Sequence, residues 1–361
     1  MTVRSRAPGR NSGTRDWADV EVSAGQAEEA LARAAGHGGR LAAAMEAYPR
    51  APRPWLDLST GINPDPWWGP RAPMEALCRL PDPQAIARLE ATAAEAFGAP
   101  PERVVATAGA EAGLRLLPRR LWLYDVDIVS PTYAGHEAAW RAAGTQVRRI
   151  GPERLRLSPA QGVLLVNPNN PDGRATPRTA LVEIIEARTA RRDWTLVDES
   201  FVETEPTLSV SDHASDRLVV FRSFGKFYGL AGLRLGFVVA PPDLAAQLRA
   251  EQGDWPVSAD AIAMGVRAYA DVAWRLRTEA ELRLRARELD KLLQARGLEV
   301  LGGTSLFRLV SVPDAANAFD GLCRAGVLSR PFARREDWLR LGLPRREDLH
   351  RLDVALREIV R

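Results

Sequence analysis

Ser223-Phe224-Gly225-Lys226-Phe227-Tyr228-Gly229-Leu230-Ala231-Gly232-Leu233-Arg234 is the stretch on which the fold turns. Of the 49 basic residues in the chain only Lys226 and Lys291 are lysine, and the other 47 are arginine. Arginine replaces lysine on a solvated surface but stays protonated, whereas a lysine amine can lose its proton and attack a carbonyl. A lysine crowded by small residues and followed by the cation of Arg234 predicts a site for an aldehyde cofactor that bears a phosphate. The segment alone leaves a second reading, in which an arginine-biased composition spared two lysines by chance.

Outward from this segment the chain alternates strands and helices. Gln84–Phe97 reads as a helix, Arg103–Thr107 as a buried strand and Ala110–Leu117 as a helix. Strand Asp127–Val129, helix Tyr133–Ala143 and strands Gln146–Ile150 and Gly162–Val166 follow. Helix Arg178–Thr189 precedes strands Trp194–Val197, Leu218–Phe221 and Leu235–Val239. Such alternation predicts an α/β fold with a mostly parallel sheet covered by helices on both faces. Beyond Pro241 the pattern is helical to about Arg296, and Glu299–Leu301 and Leu306–Val310 suggest a smaller α+β unit. The expected division is an N-terminal arm over 1–25, a segment over 26–56 packing with the smaller unit, a large unit over 57–245 and a small one over 246–361. Short helices are expected at Ala27–Ala35 and Arg40–Tyr48, and an extended path over Pro49–Pro73.

In open α/β sheets ligands sit at the carboxyl ends of the strands, and five such loops carry polar groups here. Together they supply what pyridoxal 5'-phosphate needs from a protein. Lys226 would form the Schiff base, and Asp198, ending an apolar strand, would pair with the pyridinium nitrogen. Gly109, Ala110 and Glu111 open a helix whose N-terminal N–H groups suit a phosphate. Ser223 and Arg234 add a hydroxyl and charge-assisted donors. Asn170 would donate to the ring oxygen, and Tyr133 would stack on the ring face. Singly, each has a plainer reading: Asp198 as a helix cap, Asn167–Gly173 as a turn, Tyr133 as packing.

Composition narrows the field. The chain has 361 residues, 46% apolar and 26% charged, the balance of a globular protein. It holds no run of about 18 uncharged apolar residues that would span a membrane. Its polar start lacks the apolar core of a secretory leader. Cys78 and Cys323 are isolated, without metal-ligand spacing, which predicts free thiols, no metal and a cytoplasmic location. The net charge of +3 comes from interleaved arginine and acid, the pattern of a solvated helix face and not of a nucleic-acid surface.

Asn167–Gly173, Asp198-Glu199 and Ser223–Arg234 resemble the signature of fold-type I pyridoxal-phosphate enzymes of the aminotransferase class I/II group. The resemblance extends from about Gly36 to the C-terminus. His37-Gly38-Gly39, Leu58–Pro64, Trp255–Ser258 and Gly302–Arg308 narrow it to the threonine-phosphate decarboxylase branch of cobalamin biosynthesis, close to histidinol-phosphate aminotransferases. The chain departs from many relatives in carrying Phe201 and Leu80 where they have tyrosines. Arg340, read as strand-borne in the apolar run Trp338–Gly342, is costly there unless paired, and the resemblance implies that it forks onto the substrate α-carboxylate and that Asn170 also lines the substrate. It makes Arg330 and His37 candidates for the substrate phosphate, His37 being equally readable as a helix-end residue. It further implies a homodimer; the aromatic stretch Trp55–Trp68 reads either as a contact in it, since interface cores are rich in aromatics, or as a segment packed on its own domain.

The expected reaction is decarboxylation of L-threonine O-3-phosphate to (R)-1-amino-2-propanol O-2-phosphate. Transamination of a phosphorylated amino substrate, or of histidinol phosphate, is the alternative. Both use the same lysine, and the outcome depends on which substrate bond stands perpendicular to the cofactor ring. A catalytically silent descendant of the fold, used for regulation or assembly, has no chemical need for Lys226, Asp198 and Arg234.

Overall fold

The computed structural model describes Ala35, residues 38–357 and Ile359. The expected arm over 1–25, the helix Ala27–Ala35 except Ala35, and His37 lie outside the described residues. The strands are β1 (Leu56–Asp57), β2 (Val104–Thr107), β3 (Asp125–Val129), β4 (Gln146–Ile150), β5 (Gly162–Val166), β6 (Trp194–Asp198) and β7 (Leu218–Ser223). They continue as β8 (Gly236–Val239), β9 (Glu299–Thr304), β10 (Phe307–Ser311), β11 (Val327–Leu328), β12 (Arg330–Phe332) and β13 (Arg335–Gly342).

Seven strands form one sheet in the order β2-β8-β7-β6-β5-β3-β4. The run from β7 to β4 is parallel. Strand β8 is antiparallel to both β7 and β2, so two reversals return β2 to the common direction. The carboxyl ends of β2, β3, β5, β6 and β7 therefore share one rim, as the alternating pattern predicts. Strands β2 and β5 are buried at every residue, because helices cover both faces and favour continuous apolar runs. Edge strand β4 instead exposes Gln146, Arg148 and Arg149, charged and polar side chains that discourage further pairing.

Local signals account for the helix boundaries. Helix Pro83–Phe97 starts on Asp82, whose side chain accepts from the Gln84 N–H at 2.8 Å, and stops at Gly98 with φ 69°. The helix expected to end at Leu117 runs on to Leu121. Leu117 and Pro118 face the core there, and their burial outweighs the N–H that proline lacks.

A second, antiparallel sheet has the order β12-β13-β10-β9. Beyond Val310 the sequence pattern assigned only the strand carrying Arg340, which is β13, yet helices Ala315–Arg324 and Leu349–Arg357 and strands β11 and β12 are also present. Runs such as Arg334-Arg335-Glu336-Asp337 hide a strand from apolar counting, since only its later residues are buried. Strands β1 and β11 pair in parallel as a separate two-stranded sheet, which ties the segment before the large sheet to the C-terminal part of the chain. Of the aromatic stretch 55–68, Trp67 is buried with Nε1 donating to Asp271 at 3.1 Å, while Trp68 is 86% exposed. Cys78 is exposed and Cys323 buried, both free.

A buried charge network backs the rim. Arg222 donates to Glu203 at 2.8 Å and to Glu199 at 3.2 Å, and its guanidinium lies 4.2 Å from the Phe97 ring. Loss of water lowers the Arg222 pKa, but the two carboxylates outweigh it and the net shift is upward. Removing one member strands the others: Arg222→Met is expected to cost about 3–5 kcal/mol, read as a lower urea midpoint with unchanged slope.

Candidate active site

The rim loops enclose a cavity of about 460 Å³. Gly109, Ala110, Glu111, Tyr133, Asn170, Asp198, Ser223, Lys226, Arg234, Arg330 and Arg340 all line it. These are the residues singled out in the sequence, except His37. Five strand ends of the large sheet contribute nine of them, and strands β12 and β13 of the second sheet contribute Arg330 and Arg340, so their meeting is a property of the tertiary fold.

Lys226 sits in the single-turn helix Phe224–Phe227 directly after β7. Gly225 lets that turn close, since a Cβ there would stand 2.7 Å from the Ala231 Cα. Loss of water, then the charges of Arg340 and Arg234 set against Asp198, pull the lysine down to about 8. A larger share of its amine is thus neutral, and nucleophilic, at physiological pH than in an ordinary lysine.

Asp198 ends β6, and its Oδ2 lies 2.7 Å from His136 Nε2 while Oδ1 accepts from the Ser200 N–H at 2.8 Å. Burial pushes the carboxyl up, but the hydrogen bonds and charge of His136 and the Ser200 contacts hold it below its usual range. The site therefore keeps a buried carboxylate charged. Sequence reasoning missed His136. It is one of four histidines and falls three residues after Tyr133, in the first turn of helix Ala134–Ala142. That position on a helix leaving the rim was the available signal.

A cradle for an anion lies beside the lysine. Gly109 has φ 86°, and a Cβ there would sit 2.4 Å from Arg234 Nη2. Gly236 faces both Thr107 and Ser223 across the sheet. A Cβ on it would meet the Ala110 nitrogen at 2.2 Å. Two bare glycines thus bring the N-terminus of helix Ala110–Leu121, the Ser223 hydroxyl and the Arg234 guanidinium together. Tyr133 stands at the mouth, donating to Glu111 at 3.1 Å, and burial with Glu111 pushes its hydroxyl up to about 12.

On the opposite wall Arg330 and Arg340 are cross-strand partners. Arg340 is 7% exposed; it donates to Asn170 Oδ1 at 2.5 Å and to the Ser59 carbonyl at 2.8 Å, and its Nε has no partner. Arg330 donates to the Ala35 carbonyl and lies 5.4 Å from the Phe332 ring. Neither forms an ion pair among the described residues. Burial, then the Arg330 charge, lowers Arg340 to about 10. Phe201 packs edge-on against Phe307 at 5.1 Å and offers the cavity no hydroxyl. Leu80 is exposed and does not line the cavity.

These groups fit pyridoxal phosphate. They comprise an amine with a lowered pKa, a buried carboxylate, a glycine cradle beside a guanidinium, and an amide at the wall. No cluster among the described residues would hold a metal ion, and no helix among them is long and apolar enough to cross a membrane.

Residues 55–356 match the family model for aminotransferase class I and II. A threonine-phosphate decarboxylase from Sinorhizobium sp is 40% identical over 310 residues, covering 85% of this chain and 92% of its own. One from Pseudomonas aeruginosa is 39% identical over 325 residues, covering 89% and 96%. The solved histidinol-phosphate aminotransferase from Clostridium acetobutylicum shares the fold with a TM-score of 0.76 at 18% identity, covering 84% of this chain and 99% of that one. With its length matched from Trp55 to Leu356, the chain belongs to the aminotransferase class I and II family.

Proposed function

We propose that this protein decarboxylates L-threonine O-3-phosphate, with pyridoxal phosphate as cofactor, to (R)-1-amino-2-propanol O-2-phosphate in cobalamin biosynthesis. The observation that carries the reading is the pair Arg330 and Arg340. These two neighbouring guanidiniums at the cavity wall have no carboxylate partner among the described residues. Burying cations in this way is costly unless a ligand brings the opposing charge. A substrate with both a carboxylate and a phosphate supplies it, and the two decarboxylases of about 40% identity support the same choice.

The cofactor, when bound, supplies an electron sink next to the substrate amine. In this reading Lys226 tethers it, and Asp198, held charged beside His136, keeps a proton on the ring nitrogen. Ser223, Arg234 and the backbone of Gly109, Ala110 and Glu111 hold its phosphate. Tyr133 covers one ring face. Asn170 Oδ1 is engaged by Arg340, which leaves its amide N–H groups for the ring oxygen. With Phe201 in place of tyrosine no second hydroxyl competes for that role. Arg340 holds the substrate carboxylate and Arg330 its phosphate, with His37 a further candidate for the phosphate. As CO2 departs the α-carbon gains one proton, and Lys226, with a pKa near 8, suits proton donation at neutral pH.

The large unit over 57–245 would carry the cofactor and the small one over 246–361 the two arginines. A cytoplasmic homodimer completes the reading, with the exposed Trp68, Met74 and Leu80 as apolar contact surface.

The deciding experiment uses L-threonine O-3-phosphate without any keto acid. The expected result is stoichiometric CO2 and amino-propanol phosphate over many turnovers. Threonine lacking the phosphate should lose a charge-assisted contact of about 1.5–3 kcal/mol, or roughly 10- to 150-fold in specificity. A reaction that halts after one turnover and resumes with 2-oxoglutarate would establish an aminotransferase instead.

A further inference from the structure

Gly302 and Gly303, picked out in the sequence, have no part in the site as described so far. They lie near the end of β9, and a cross-strand row connects them with the arginines. Gly302 pairs with Leu309, Leu309 with Arg340, and Arg340 with Arg330. Residues opposite one another in an antiparallel sheet share a face, so this row presents one face to the rim of the large sheet.

On that rim the two sheets meet without side chains. A Cβ on Gly302 would stand 2.1 Å from the Asp172 carbonyl oxygen, and one on Gly173 would stand 2.0 Å from the Gly303 oxygen. Each obstacle is backbone, which cannot swing aside as the tip of a side chain can. Asn170 belongs to the same turn as Asp172 and Gly173, and Arg340 Nη1 reaches its Oδ1 at 2.5 Å. The seam and the arginine–asparagine contact are therefore joined on one side by the cross-strand row and on the other by the turn that holds Asn170, Asp172 and Gly173. Within the row Arg340 keeps a buried Nε with no protein partner among the described residues, the sign of a guanidinium aimed at a ligand.

We propose that the bare backbone contact of Gly173 with Gly302 and Gly303 is a positioning contact. It sets the spacing between Arg340 and Asn170 and so helps to select which substrate bond breaks. The inference rests on the reading of Arg340 as the carboxylate ligand. The asparagine marks where the cofactor ring lies and the arginine where the carboxylate lies, so their separation fixes the tilt of the carboxylate bond to the ring. Displacements of about 1 Å at such sites cost on the order of 10²-fold in rate.

Gly302→Ala forces the sheets apart at the seam. The full-length, cofactor-loaded protein is given L-threonine O-3-phosphate, and CO2 and the amine form of the cofactor are counted in the same reaction. The amine form records turnovers in which the amino group stays with the cofactor and water releases the product as a carbonyl compound. The expected result is a KM raised roughly 10- to 100-fold with unchanged cofactor absorbance. The fraction of turnovers ending in the amine form should also rise by about tenfold. Calorimetry with the same substrate on the cofactor-free chain should show a matching loss of affinity. Leu309→Ala loosens the row without pushing on it and is expected to raise the same fraction, so it carries the test if the alanine variant does not fold. A folded variant with KM and product fraction unchanged, or with only kcat reduced, overturns the proposal. If the wild-type protein releases no CO2, the reading of the reaction fails, while the calorimetric comparison still decides whether the seam positions Arg340.

Discussion

Lys226→Ala lowers turnover by about 10⁴-fold, the upper end of what a positioned proton-transfer group contributes, and ends covalent attachment of pyridoxal phosphate. The wild-type protein should take one reduced label per chain after borohydride, and peptide mapping should find it on Lys226. Lys291, exposed on helix Val272–Ala295, is the internal control, because an exposed amine has no cavity to hold the aldehyde. With Lys226 near 8, roughly one amine in ten is neutral at pH 7, against fewer than one in 10³ for an ordinary lysine. The neutral amine is the nucleophile, so capture of added cofactor should accelerate about tenfold from pH 7 to pH 9 and then level off. A label on Lys291, or capture that does not respond to pH in this range, would remove Lys226 from its role.

Asp198→Ala is expected to cost on the order of 10²-fold or more in kcat, about 3 kcal/mol of transition-state stabilisation. Without the carboxylate the ring nitrogen loses the partner that keeps it protonated, and His136 Nε2 loses its 2.7 Å contact. Exchanging His136 for leucine is a milder test of the same pair. Burial then acts on Asp198 without its main opponent, so the carboxyl pKa rises and the acid limb of the kcat/KM profile moves to higher pH. Near-normal turnover in Asp198→Ala would return Asp198 to an ordinary strand-end residue.

Much of this protein was legible in one dimension. Apolar runs bounded by turn residues gave the strands of the large sheet, because buried parallel strands must be apolar on both faces. Chemistry was legible where a residue type has no substitute: a lysine among 47 arginines, or an aspartate closing the run Trp194–Val197. The antiparallel insertion of β8 between β2 and β7 was not, since burial alone does not encode strand direction. The C-terminal strands were obscured by charged residues on their exposed half.

Other features required distances. His136 acquires its meaning only when the helix after β3 meets the end of β6, 62 residues later. Arg340 stands out in the sequence as a cation within the apolar run Trp338–Gly342, but the asparagine it contacts is 170 residues away and only the fold brings the two together. Gly173 reads as a turn residue, and Gly302 and Gly303 only as part of the motif Gly302–Arg308, until their backbones are seen in close approach between the two sheets. Sequence fixes side-chain chemistry and local periodicity, which depend on near neighbours. Tertiary structure alone decides which charges lose water together, because desolvation and Coulomb coupling depend on separation in space.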